Sequence, residues 1–297
     1  MATLREIRGR IVGVRKTQKI TRAMKMVAAA KLRRAQRNVV AARPYAAKMR
    51  ELLRLLTAST ELSENSFMKP REVRSVAVVV VSADRGFCGG FNSNLIKFAL
   101  NHVATRYPEA QKNGKLKVFC VGKKGADVFT KRGFHLRGKY VGIFNNLVFP
   151  QAQMIVREIV DGYLKEEYDL VEIVSNEFKT VTQQRIVVDQ FLPIPTQAES
   201  GGVGEKGSEV DYIIEPSKKE ILDALLPRHL NFQVWRILLE SNAAEEGARM
   251  AAMENATENA NELISTLELQ YNKARQAAIT KELLEVVSGA EALKKAG

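Results

Sequence analysis

The sequence predicts two long helices, one at each end of the chain, paired as a coiled coil around an open α/β domain. Three observations predict it. Near the start, apolar residues keep a seven-residue beat: Leu4, Ile7, Ile11 and Val14, then Ala28, Leu32, Ala35, Val39, Ala42, Ala46, Met49, Leu53 and Leu56. Near the end, Met250, Met253, Ala260, Ile264, Leu267, Tyr271, Ala274 and Ala278 repeat that spacing. A stripe of a and d positions this long needs a partner helix, and each stripe can cover the other. Between them, β-branched runs alternate with helical stretches, the pattern of a sheet with helices on its faces.

The first helix is expected from Leu4 to about Leu56, roughly 80 Å at 1.5 Å per residue. Gln18, Thr21 and Lys25 interrupt its stripe. Polar residues in such slots cost stability and control the register of the coil. Pro44 should kink or locally break the helix. A polar stretch from Ser59 to Ser66 and then Pro70 close this coiled-coil segment, which is placed at residues 1–58.

The α/β domain is expected over 72–195. Residues 76–82 read VAVVVVS, a strand buried on both faces of a parallel sheet. The loop DRGFCGGFN follows at 84–92, and Ser93 can cap a helix from Asn94 to about Tyr107. Lys117–Val121 is a second strand, with a short helix near Gly125–Lys131. Tyr140–Phe149 is apolar and ambiguous. Pro150 opens a helix to about Tyr168, and Leu170–Val174 and Gln184–Phe191 read as a hairpin at the sheet edge. Residues 196–215 are Gly-, Ser- and Glu-rich and are expected to form a flexible loop. The second coiled-coil helix is placed at 218–297, with no breaker between Leu230 and about Val287.

Charge is unevenly distributed. Residues 1–60 hold 16 Lys and Arg against Glu6 and Glu51, a net +14 in a chain whose total is +13. The basic character therefore belongs to the first helix, which needs an acidic protein surface, nucleic acid or anionic lipid as counterpart. Nothing approaches the roughly 18 apolar residues of a membrane span. The opening MATLREIRGR lacks the apolar core and cleavage site of a secretory signal. Cys88 and Cys120 make no disulfide framework and have no second Cys at metal-ligand spacing, and His102, His135 and His229 are scattered. A soluble chain in a reducing compartment is expected, without a metal site.

Candidate chemistry is thin. The loop at 85–92 could aim backbone N–H groups at a phosphate, but GFCGG is neither GxxxxGK[ST] nor GxGxxG, and a tight turn explains it as well. Glu166 with Glu167, and Glu245 with Glu246, are adjacent on predicted helices rather than facing across a cleft, so both pairs are expected on a solvated surface. Cys88 has no His near it in sequence to activate it. No catalytic constellation emerges. A nucleic-acid-binding coiled coil is one alternative, though the basic helix carries only Tyr45 as an aromatic. A small nucleotide-binding enzyme is another, and it lacks a phosphate loop.

Three segments together carry a resemblance: ITRAMKMVAAAKLRR at 20–34, DRGFCGGFNS at 84–93 and YNKARQAAITKELLEVVSGA at 271–290. They lie at the start, middle and end of the chain, and together they resemble the gamma subunits of F-type ATP synthases. The resemblance implies two antiparallel terminal helices with an open, Rossmann-like α/β domain at their foot. It also implies a central-stalk rotor, not catalytic by itself. Its helices would turn inside the ring of alpha and beta subunits, and its lower part, with epsilon, would sit on the membrane c-ring. Ion flow would drive the three beta sites through ATP synthesis or hydrolysis.

Residue by residue, Met24 and Lys25 fall where the family's basic helix passes an acidic segment of beta. Lys25 also occupies a d-like slot of the coil. Arg275 and Gln276 match a pair that meets a beta-subunit loop, with Thr280 and Glu282 on the same motif. Arg249, within ARMAAM, matches a position coupled to that region. The resemblance implies no cofactor, metal or nucleic acid, and no thiol switch, because residues 196–209 lack the chloroplast cysteines. The absence of a transit segment favours a peripheral protein on the cytoplasmic face of a bacterial inner membrane, with a mature organelle form as the alternative.

Overall fold

A computed structural model of the chain describes residues 3–57, 65–180, 183–195, 215 and 217–296. The expected loop at 196–215 lies, apart from Glu215, outside the described residues. The chain divides into two compact units, Met1–Val27 with Met250–Gly297, and Ala28–Arg249. Helices α1 (Leu4–Thr57) and α6 (Lys218–Ala296) contribute to both.

The described residues of the first unit lie almost entirely in the two helices. Ile7 and Ile11 of α1 are buried with Leu267 of α6, and Val14, Tyr271 and Ala274 pack around them. Further along, Gln18 meets Asn261, Thr21 meets Thr257 and Lys25 meets Glu254. Rising numbers on α1 face falling numbers on α6, so the pairing is antiparallel. The apolar beat fixes which side of each helix is covered.

The second unit is built on a five-stranded sheet in the order β3-β2-β1-β4-β5. Its strands are β1 (Val76–Val81), β2 (Leu116–Val121), β3 (Leu136–Tyr140), β4 (Leu170–Phe178) and β5 (Gln184–Leu192). β1 is parallel to β2 and β4, and β2 to β3, while β5 returns antiparallel along β4 as the predicted edge hairpin. All six β1 residues are buried, which requires cover on both faces. Val76, Val78 and Val80 pack beneath α2 (Phe91–Arg106) and α4 (Lys123–Lys131). Ala77, Val79 and Val81 face α5 (Phe149–Leu164) and the early turns of α6, including Leu226, Leu230 and Leu238. Within this unit α1 also lies along α6, with the Tyr45 and Phe232 rings 4.5 Å apart.

Several local expectations are corrected. The local break allowed for at Pro44 does not occur, and α1 is helical from Leu4 to Thr57. Pro44 and Val40 are both exposed, so the carbonyl that loses its intrahelical partner lies on the solvent side of the helix. Ser93 is not a cap. α2 starts earlier, at Phe91, with Gly90 as N-cap, and the Ser93 hydroxyl donates to the Gly90 carbonyl inside the first turn. α5 ends at Leu164, four residues short of Tyr168, whose hydroxyl instead turns back to donate to the Ile159 carbonyl at 2.6 Å. Tyr140–Phe149 resolves into the end of β3, a 3₁₀ turn at Ile143–Asn145 and the start of α5. β3 and the short α3 (Pro108–Lys112) are unforeseen additions.

Candidate functional site

The residues singled out by the sequence fall into two groups. In the first unit, Met24 and Lys25 are half-buried on α1. The Lys25 ammonium is already engaged within the coil, 2.5 Å from the Glu254 carboxylate. Next to it the Thr21 and Thr257 hydroxyls touch at 2.8 Å, and each also reaches a backbone carbonyl of its own helix, Gln18 at 3.0 Å and Met253 at 2.7 Å. Two hydroxyls hold two protons, so only two of these three contacts can be donated at once. The polar interruption of the stripe is thus a set of matched cross-helix pairs, with Gln18 donating to Asn261 beside it.

Arg275, Gln276, Thr280 and Glu282 are all exposed. Thr280 donates to the Gln276 carbonyl at 3.0 Å, one turn earlier. Arg275 lies 21 residues beyond Glu254, the partner of Lys25, or about 30 Å along α6 at the helical rise. The structure therefore does not gather these residues with Met24 and Lys25. They occupy opposite ends of one helix pair. From Ile279 to Glu291 every residue is exposed.

Arg249 belongs to the second unit, and here an expectation fails. Glu245 and Glu246 are not a solvated pair: they are 5% and 6% exposed, and Arg249 is 8% exposed. Small neighbours, Ala243, Ala244 and Ala248, bring α6 close against its surroundings, and the adjacent carboxylates are shut in with it. Arg249 donates to Glu245, and its second nitrogen lies 2.8 Å from Glu246 Oε2, an ion pair without hydrogen-bond alignment. Lys31 of α1 reaches Glu246 at 3.5 Å. Burial pushes the Glu245 carboxyl up, and Arg249 opposes that shift. One guanidinium shared by two buried carboxylates cannot fully offset both desolvation costs.

The glycine-rich loop after β1 lies against the same stretch of α6. Cys88 and Phe91 are buried with Ala83, Ala244 and Ala248. The loop turns through left-handed backbone at Phe87 (φ 60°) and Gly89 (φ 57°). Asn92 closes it, accepting from the Ala83 N–H at 2.9 Å and donating to the Arg85 carbonyl and the Cys88 sulfur. The Asp84 carboxylate accepts backbone N–H groups from Lys123, Gly142 and Phe144. These are contacts of a packed turn, and the cysteine side of the loop is covered by α6. Burial raises the Cys88 thiol and pushes Cys120 up to about 12, so neither resembles a thiolate nucleophile. Among the described residues no three His, Cys, Asp or Glu side chains cluster as a metal site, and no helix is long and apolar enough to cross a membrane.

Reading the sequence missed the partners across the seam. The beat of α6 steps from Met253 to Ala260 over Thr257, which stands on the intervening position. Filling that slot would have set Thr257 opposite Thr21. Nothing in sequence marks Glu245 and Glu246 as buried beyond the alanines around them.

A family model described as ATP synthase matches residues 3–293. The ATP synthase gamma chain of Chlorobaculum parvum is 51% identical, the match covering 99% of this chain and 100% of that one. The gamma chain of Chloroherpeton thalassium is 49% identical, with 99% of each chain covered. A chain in the cryo-EM structure of the Euglena gracilis mitochondrial ATP synthase (OSCP/F1/c-ring, rotational state 3) shares the fold. Its TM-score is 0.66 at 23% identity, over 98% of this chain and 94% of that chain. From the coverage and the identities together, the chain belongs to the ATP synthase gamma-chain family.

Proposed function

We propose that this chain is the central-stalk rotor of a rotary ATP synthase. It couples ion flow through a membrane c-ring to conformational cycling of three catalytic beta subunits, and it performs no catalysis itself. The observation that carries the proposal is a helix end whose apolar side chains are left exposed among the described residues. In the first unit the last described turns of α6 expose Ile279 (50%), Leu283 (61%) and Val286 (71%). Such a run of apolar side chains in water marks a surface made for a partner. A partner ring surrounding it would meet a different face at each rotor angle. Only contacts that differ between states can shift which beta conformation is favoured.

On this reading Arg275, Gln276, Thr280 and Glu282 meet beta near the tip. Met24 and Lys25 meet it beside the exposed Ile20 and Met26, and Arg249 is coupled to that contact. The partners are the alpha and beta subunits of the catalytic head, the epsilon subunit and the c-ring, with no nucleic acid and no cofactor. The helices at 1–58 and 218–297 form the coiled coil of the rotor, and the α/β domain at 72–195 turns with them. The chain sits peripherally on the cytoplasmic face of a bacterial inner membrane.

The test is Arg275→Glu in the assembled complex. ATP-driven proton pumping by membrane vesicles should fall several-fold while the chain still co-purifies with its ATPase head. Unchanged pumping removes Arg275 from the contact. A native chain that purifies without any ATPase head, or is retained on DNA in a salt-sensitive way, overturns the rotor reading.

A further inference from the structure

In the second unit, where Ala28–Ala35 of α1 runs beside Ala243–Arg249 of α6, the two helices have little to grip. Leu32 aside, the buried apolar residues at this level are Ala28, Ala35, Ala243, Ala244 and Ala248. Small side chains let helices approach closely but interdigitate poorly, and each adds few dispersion contacts to resist sliding or rolling. The same stretch holds the buried charges. Lys31 pairs with Glu246 at 3.5 Å, Glu246 with Arg249 at 2.8 Å, and Arg249 with Glu245. Among these groups Glu246 is the one paired to both cations, one on each helix.

We propose that Lys31, Glu246, Arg249 and Glu245 form a charge clamp that fastens α1 to α6 where the buried apolar side chains are mostly alanine, with Glu246 as its central positioning residue. Coulombic attraction falls off with separation, so rolling or sliding that pulls Lys31 away from Glu246 is opposed where alanine contacts offer little resistance. The carboxylates are nearly out of water, which strengthens their pairing. The clamp reaches further, because Cys88 and Phe91 of the loop after β1 pack on the neighbouring Ala244 and Ala248. Its consequence for torque rests on the rotor reading; the clamp itself rests only on these pairs.

The test uses the full-length chain, with Lys31→Gln, Glu246→Gln and the double variant. Amide hydrogen exchange across residues 28–35 should quicken several-fold in each single variant. The double variant should exchange no faster than Glu246→Gln alone, because both changes break one pair. Exchange in β1 should stay put, showing that the sheet is intact. Salt supplies a readout that packing would not move: added salt should drive the native chain toward the Lys31→Gln behaviour and leave Lys31→Gln itself unchanged. Additive effects, salt-independent exchange, or no change over 28–35 overturn the clamp. Lys31→Gln changes a half-exposed side chain and keeps the test alive if Glu246→Gln fails to fold. In the assembled complex, protons pumped per ATP should fall in the same order. Faster exchange with undiminished pumping keeps the clamp and removes its role in the rotor.

Discussion

The Asp84 carboxylate accepts the Gly142 backbone N–H at 2.8 Å, tying the turn after β1 to the turn after β3. The same side chain takes the Lys123 N–H at 3.0 Å and the Phe144 N–H at 3.3 Å. One residue thus organises three connections at one end of the sheet. Asp84→Ala strands three amides and should cost about 1–3 kcal/mol for each that water cannot reach. Asp84→Asn, which keeps one acceptor oxygen, should fall between. Urea midpoints at constant m-value measure both.

Arg249 is the only guanidinium that Glu245 and Glu246 share among the described residues. Arg249→Ala leaves two buried carboxylates with Lys31 alone at their edge, and a loss of about 3–5 kcal/mol is expected. Arg249→Lys keeps the charge without the fork and should recover part of it. Because burial already pushes the Glu245 carboxyl up and Arg249 opposes that shift, lowering the pH should relieve Arg249→Ala more than the native chain.

Stability should rise as pH falls from neutral toward the ordinary carboxyl range. Burial pushes up Asp189 and Glu240, and Glu177 adds to both shifts while Arg236 opposes them. A carboxyl whose folded pKa is raised binds its proton more readily folded than unfolded, so stability is lost as pH climbs through that window. Asp169 works the other way at lower pH. Burial would raise it, but hydrogen bonds from Ser75 and Arg74 outweigh that and hold it low. Its contribution is present above the unfolded pKa and disappears as pH falls through the folded one. Glu240→Gln should flatten the upper slope in denaturation curves taken across pH, and an unchanged slope would assign it elsewhere.

Two glycines separate conformational strain from collision. Gly122 has φ +92°, and a Cβ there would sit 2.0 Å from the Ser82 carbonyl oxygen. Gly133 has φ +81° with nothing within 4 Å. Gly133→Ala should cost about 1 kcal/mol for the left-handed backbone alone. Gly122→Ala must also move β1 or the start of α4 and should cost several times as much. Paired thermal melts would show the gap, and equal losses would refute the steric argument.

The sequence was most legible where one periodicity ran long. The stripe from Leu4 to Leu56 and the run of buried valines in β1 each repeat a single rule, and burial follows them. Legibility failed where tertiary contacts overrode local preference. β3 reads LRGKY, with two charges and a glycine in five residues, and it becomes a strand because β2 offers its edge. Glu245 and Glu246 look solvent-facing until Arg249 and the tight alanine packing enclose them. Ser93 has the right chemistry for a cap, but the helix starts two residues before it. Of the sequence-derived contact residues, Lys25 gave the clearest warning, since its slot in the beat already placed it against the partner helix.

Thr21 and Thr257 are 236 residues apart in the chain. At a synthesis rate of about 5–20 residues per second, α1 emerges roughly 10–50 seconds before its partner exists. Through that wait its apolar stripe stands bare beside the growing ribosome product, and a neighbouring nascent copy would be an available wrong match. The 16 Lys and Arg set against two Glu in residues 1–60 would make two such early helices repel each other until α6 is made.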